Sequence, residues 1–270
     1  MDQPQPIRPA EGWGVLHLFL RVDRAVAATL PETAVKDLAG VLERFDDDPE
    51  TQVHLFSVLG HKADAMVFAL SPDLSLLRRL QTAITACDFG PALELPWSYV
   101  SLTETSEYTP TAASYRDDLA AKGVAGDDLD RRVAAFAERQ AEYNRHKLYP
   151  QMPRWEVACF YPMSHRRVGT DNWYLLPFEE RMRLMHEHGR SGRAYAGRVL
   201  QLVTGSTGLD DWEWGVTLFA HDVADLKHIV YRMRYDEASA RYADFGPFVV
   251  GLRRSAQQLV RELGLTVPDL

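Results

Sequence analysis

The chain repeats its own layout. The order of elements that opens at Trp13 opens again at Trp155. The strand-like run W-G-V-L-H-L-F-L is answered by W-E-V-A-C-F-Y-P-M. The helix-like P-E-T-A-V-K-D-L-A-G-V-L-E is answered by P-F-E-E-R-M-R-L-M-H-E-H-G. Two apolar runs joined by the turn H-K-A-D are answered by two joined by T-G-S-T-G-L-D-D, and a helix opening at Asp73 by one opening at Asp222. One unit of this kind has an apolar sheet face too large to cover by itself, so a repeat of the unit constrains the fold more than any single segment does.

The periodicity within each unit is specific. Residues 31–45 place Val35, Leu38, Val41, Leu42 and Phe45 at helical spacing, with acids early and an arginine late. The runs 53–60 and 65–70 form a hairpin, and Ser71-Pro72-Asp73 opens a helix with Leu74, Leu77, Leu80 and Ile84 on one stripe. Residues 98–103 close the unit as a strand. The reading is an α+β fold of two ferredoxin-like halves whose sheets pack as a dimeric α+β barrel within one chain. Its parts are an N-terminal arm (1–12, polar and Pro-rich, expected to be loose), a first half (13–109), a helical connector (110–153) and a second half (154–270).

A formal net charge of -8 argues against a general nucleic-acid or anionic-membrane binder, without excluding a local basic pocket for an acidic small molecule. The two cysteines, Cys87 and Cys159, lie in apolar surroundings without zinc spacing and read as buried thiols. The N-terminus lacks a secretory pattern, and no apolar run approaches the roughly 18 residues of a membrane span. The expected location is the cytoplasm.

The residues with chemistry are unequally shared between the halves. Only the second copy of the first helix carries histidines, His186 and His188. The pattern predicts a helix over 178–188 with Gly189 as its C-cap, and His188 on the apolar face of Leu184 and Met185. Such a histidine is either a satisfied core or cap residue, or the neutral imidazole that an axial haem iron needs. His186 points elsewhere, to solvent. Tyr161, near a strand end because Pro162 follows, is either a core tyrosine or a redox-active phenol. Gln201 is the one amide in R-V-L-Q-L-V-T and shares a strand face with Val199 and Val203, so it either satisfies backbone or faces a polar ligand. His146, Lys147, His165, Arg166 and Arg167 form either a solvated basic run or a grip for carboxylates. Ser239 is a candidate ligand-contacting hydroxyl. The Gly-rich T-G-S-T-G-L-D-D lacks the Gly-Lys-Ser/Thr of a phosphate loop and reads as a hairpin turn.

From about residue 146 to 251 the sequence resembles the coproheme decarboxylases of the chlorite-dismutase-like superfamily. The segments that carry the likeness are C-F-Y-P-M-x-x-R-R, D-N-W-Y-x-L, E-R-x-x-L-M-x-x-H-G-x-x-G-R-x-Y-A-G, G-S-x-G-L-D-D-x-E-W-G-V-T-L-F and M-R-x-D-E-x-S-A-R-Y-x-x-F-G. The resemblance implies hydrogen-peroxide-dependent oxidative decarboxylation of Fe-coproporphyrin III (coproheme) to haem b through a three-propionate intermediate. Coproheme is then both substrate and redox cofactor. It also implies a homopentamer and a transient contact with ferrochelatase. His188 then corresponds to the axial iron ligand, Tyr161 to the radical-forming catalytic tyrosine, Gln201 to the distal glutamine and Ser239 to a propionate hydrogen-bonder. Lys147 stands where the family has a propionate-binding arginine, and His165 where a lysine is usual. Both stay basic, and His165 (or His146) is also a candidate distal base. The competing readings are a chlorite dismutase or haem peroxidase, and a non-catalytic haem-binding carrier or sensor.

Overall fold

The computed structural model describes residues 5–46 and 50–265, so residues 1–4 of the expected arm and 266–270 of the expected second half lie outside the described residues. The first half contains β1 (Gly14–Val22), a short α1 (Arg24–Ala27), α2 (Glu32–Asp46), β2 (Gln52–Val58), β3 (Ala65–Ser71), α3 (Leu74–Ala86) and β4 (Leu93–Thr103). The connector holds α4 (Ala112–Ala121) and α5 (Gly126–Leu148), separated at Gly123 and Gly126, both at positive φ. Next come β5 (Val157–His165), the two-residue strands β6 (Arg167–Val168) and β7 (Asp171–Asn172), and α6 (Phe178–Arg193). The chain continues through β8 (Val199–Gly205), β9 (Trp214–Ala220), α7 (Val223–Met233), α8 (Glu237–Tyr242), β10 (Ala243–Phe245), β11 (Val249–Arg254) and α9 (Ala256–Glu262).

Antiparallel pairing joins the strands in the order β10-β5-β11-β2-β3-β1-β4-β8-β9, and β5 also pairs with β9. That last pairing closes the sheet into a barrel, with β10 alongside the far end of β5. Within the first half the order is β4-β1-β3-β2; within the second it is β11-β5-β9-β8. The seams between them are β11–β2 and β4–β8.

Closure explains why several strands look continuously apolar. In β1, Leu16, Leu18, Leu20 and Val22 face α2, α3 and α9 in one core. Val15 and Phe19 face the barrel interior with Phe56, Phe68, Tyr99, Phe160 and Phe219. Both faces are buried, so alternation of polar and apolar residues is lost. The predicted stripes hold: Val35, Leu38, Val41 and Leu42 of α2 and Leu77, Leu80 and Ile84 of α3 are buried. Asp73 caps α3 by accepting from Ser75 N at 2.9 Å.

Two expectations need correction. Residues 5–12 run along the first half rather than hanging free. Ile7 N donates to Asp73 Oδ1 at 2.9 Å, Leu74 N donates to Ile7 O, and Trp13 N donates to Thr103 Oγ1. Helix α6 does not stop at Gly189. It runs to Arg193, with Ala194 as C-cap, because Gly189 keeps a helical backbone and nothing there demands positive φ.

The barrel interior also buries two histidines. His17 is fully buried among aromatic rings, with Nε2 2.9 Å from Thr217 Oγ1 and Nδ1 without a partner. Burial lowers its pKa to about 3, and that of His54 to about 4, where Arg253 and Arg154 add to the effect. Both values lie below the ordinary histidine value, so the unfolded chain binds protons that the folded chain refuses. The stability they protect is complete above about pH 6.5 and is lost as the pH falls toward 4. The expected slope is about 1.4 kcal/mol per pH unit for each histidine. Urea midpoints at pH 7 and pH 5 for the wild type and His17→Phe test this. The variant should lose less stability between the two pH values, and equal losses would show that His17 does not set the acid limit.

Candidate functional site

Helices α2 and α6 are used differently. Helix α2 buries six residues, from Ala34 to Leu42, and packs on β2. Its counterpart α6 buries one, Leu184, and its main neighbours are α7 and α8 rather than a strand. Leu184 packs with Trp173, Ala238 and Tyr242, and Met185 lies against the same cluster. Helix α6 therefore covers the sheet less closely than α2 does, meeting it near the C-terminal end at Gly192.

His188 sits on this helix with about a quarter of its side chain exposed. Its Nδ1 lies 3.3 Å from Asp236 Oδ2 and 3.4 Å from Ser239 Oγ. Asp236 is buried, and its other oxygen accepts from Ser191 Oγ at 2.7 Å. Burial lowers the His188 pKa and the Asp236 carboxylate works against that fall. The result is a neutral imidazole whose Nδ1 faces a carboxylate and a hydroxyl, leaving Nε2 as the donor atom for a metal.

Gln201 faces the same helix. In β8, Leu200 and Leu202 point into the barrel, whereas Val199 packs on the helix side, so Gln201 points toward α6. A Cβ added at Gly192 would lie 3.0 Å from Gln201 Nε2. Gly192 is one turn beyond His188, on the same helix face. The lack of a side chain at Gly192 is what lets the amide approach. Among the described residues the Gln201 side-chain amide makes no hydrogen bond.

Tyr161 belongs to the same sheet face. It packs with Val199, Val216 and Leu218, and pairs in register with Val216 of β9, which pairs with Val203 of β8. Tyr161 and Gln201 are thus two strands apart, about 10 Å across the sheet. The Tyr161 ring stacks on Phe248 at 4.4 Å and lies 5.9 Å from Phe245. It is 5% exposed, and its hydroxyl has no hydrogen-bond partner among the described residues. Burial raises its pKa strongly, so the phenol is protonated at neutral pH.

The basic run separates into two kinds of residue. Arg166 pairs with Asp244 at 2.8 Å, Arg167 lies 3.9 Å from Glu213, and His146 faces Glu142 on the exposed side of α5. Lys147 and His165 have no acidic side-chain partner among the described residues. Burial depresses the Lys147 pKa, and its Nζ lies 5.7 Å from the Tyr143 ring centroid. None of its contacts reaches the other five candidate residues. His165 is stacked on Trp173 at 4.2 Å and meets Trp214 edge-on, with its Nδ1 buried and unpartnered. Burial first, then the nearby His188 and Arg181, lower its pKa to about 4.

The structure thus brings His188 and Ser239 into contact, sets His165 close to His188, and points Gln201 and Tyr161 from one sheet face. It leaves Lys147 apart. Ser239 touches the imidazole, so its hydroxyl is placed to hold His188. The sequence reading missed Asp236. Asp236 precedes α8 as an N-cap, yet its side chain makes no capping bond and turns to α6 instead.

Residues 31–254 match the family model described as chlorite dismutase. The chain belongs to that family. It is 40% identical over 250 residues to a Haloquadratum walsbyi protein named for haem binding. That alignment covers 90% of this chain and 44% of the relative, so the chain spans less than half the relative's length. Among solved structures it is similar to a haem-binding protein from Thermus thermophilus, with a TM-score of 0.79 and 35% identity over 97% of this chain and 100% of that one. A chlorite dismutase variant from Candidatus Nitrospira defluvii gives 0.70 at 16% identity over 94% and 96%, a likeness of fold alone.

Proposed function

We propose that this protein binds coproheme between α6 and the second-half sheet and converts it to haem b with hydrogen peroxide. The observation that carries the reading is Tyr161, nearly buried and with no hydrogen-bond partner for its hydroxyl among the described residues, on the sheet face that also presents Gln201. The donor set fits an iron porphyrin with propionates. His188 would hold the iron through Nε2 with Asp236 and Ser239 behind it. Gln201 is a neutral amide whose side chain has no protein partner among the described residues. Lys147, set apart from the others, is a desolvated cation with no acidic partner among the described residues. Two relatives are named for haem binding, which supports the ligand.

The bound iron porphyrin supplies the redox centre at which peroxide is reduced to water. Tyr161 supplies the hydrogen-atom step. Oxidised to a radical with loss of its phenolic proton, it takes a hydrogen atom from a propionate β-carbon. Loss of carbon dioxide and one further electron leaves a vinyl group. For each propionate, R-CH2CH2COO- + H2O2 + H+ gives R-CH=CH2 + CO2 + 2 H2O. Phe245 and Phe248 pack an apolar wall against the Tyr161 ring. The resemblance implies an arginine in chlorite dismutases at the position of Gln201, and Gln201 disfavours oxygen evolution from chlorite here. A haem peroxidase or a non-catalytic haem carrier is the alternative.

The reading carries further proposals: two ferredoxin-like halves descended from one duplicated unit, domain limits near 109 and 154, a cytoplasmic homopentamer, and transient contact with ferrochelatase. Among the described residues, no helix is long and apolar enough to cross a membrane.

The direct test titrates the coproheme-loaded protein with peroxide and identifies the porphyrins by mass. Stepwise loss of two carbon dioxides, ending at haem b, is expected; bleaching without decarboxylation rules the reading out in favour of a peroxidase or carrier. Lys147→Met should weaken coproheme about tenfold, the effect of losing one charged hydrogen bond, and haem b less. Equal weakening of both would remove Lys147 from the carboxylate grip.

A further inference from the structure

A second site lies at the end of the barrel where β1 finishes and β4 and β11 begin. A groove of about 390 Å³ opens there. Its floor is Phe19 and Val249, both buried in the barrel core. Trp97 stacks on Phe19 at 4.6 Å and 14°, and Trp212 forms the facing wall. Arg21 and Lys62 stand at the rim. Arg21 is held in place by donating to His61 O at 3.2 Å and Lys62 O at 3.3 Å, and its nearest carboxylate, Glu94, is 3.9 Å away. Lys62 Nζ donates to Phe248 O and has no acidic partner among the described residues. None of the residues lining the groove is an acid.

We propose that this groove binds a planar aromatic carboxylate, with the ring against Trp97 and the carboxylate on Arg21 and Lys62. The volume falls in the range of small-molecule pockets, and barrel mouths are a usual place for them. A flat ring gains most on a wall of stacked aromatics, and a carboxylate matches two cations of which, among the described residues, only Arg21 has an acid nearby, Glu94 at 3.9 Å. The site is separate from the one at His188. Phe19 and Val249 belong to the barrel interior, whereas Tyr161 lies on the helix-facing side of the sheet.

The probe is 2-naphthoate, followed by quenching of tryptophan fluorescence and by calorimetry on the full chain. Saturable binding is expected that weakens at least about tenfold in Trp97→Leu and in Lys62→Gln and is unchanged in His188→Ala. Lys62 is exposed, so its variant folds even where Trp97→Leu does not. The proposal is overturned by absence of saturable binding, by equal affinity of the Lys62→Gln variant, by loss of binding in His188→Ala, or by equally tight binding of the neutral 2-naphthamide.

Discussion

Tyr161→Phe should abolish conversion of coproheme to haem b while leaving coproheme bound. The phenylalanine ring keeps the stack on Phe248 and the contact with Phe245, so the wall of the site is unchanged. The hydroxyl it removes has no hydrogen-bond partner among the described residues, so no protein group is left unsatisfied and folding stability should change little. What disappears is the only O–H bond from which this position can make a radical. The expected loss is at least about a hundredfold in decarboxylation rate, about 2.7 kcal/mol of barrier. The Kd for coproheme should stay within about twofold, because the change falls on the reacting state and not on ground-state binding. A peroxide titration with products separated by mass gives the first number, and a Soret titration gives the second. Persistent haem b formation would move the hydrogen-atom step away from Tyr161. Loss of binding together with activity would make Tyr161 a wall of the pocket and no more.

Some of this was legible in the chain and some was not. The order of elements is written in hydrophobic period, which each element must satisfy to fold, so strands and helices could be placed from it. Barrel closure depends on the β5–β9 and β11–β2 pairings, between segments far apart in sequence, and no local pattern encodes them. The extent of α6 was misread because Gly189 resembles a helix stop. The glycines at 189 and 192 instead leave room beside the helix, for Arg193 and Gln201. His188 and Gln201 were found because a polar group interrupted an apolar face. Asp236 was missed because its role appears only when α8 is folded back against α6. The basic run looked uniform in sequence. Only packing separates Arg166, already neutralised by Asp244, from His165, buried against Trp173 with an unpartnered nitrogen.

His188→Ala should remove the iron's protein ligand while leaving the pocket walls in place. Helix α6 is held by Leu184 in its own cluster with Trp173 and Tyr242, which the substitution does not touch, so the fold should survive. Coproheme affinity should fall at least about tenfold, the loss of roughly 1.4 kcal/mol or more of ligation. The Soret band should shift, and added imidazole should restore it by entering the space that the side chain left. Asp236 gives the finer test. Its carboxylate opposes the fall in the His188 pKa that burial causes, and it fixes which ring nitrogen carries the proton. Asp236→Asn keeps the shape and removes the charge, so the imidazole should become a weaker donor. The iron spectrum should change with the axial bond retained, and affinity should fall less than in His188→Ala. The sign with pH follows from the depressed His188 pKa: the ring stays neutral through the ordinary histidine value, so binding should hold there and weaken only at lower pH. A Soret spectrum identical in His188→Ala and wild type, unaltered by imidazole, would place the iron elsewhere and remove the basis for assigning Asp236 and Ser239 to its support.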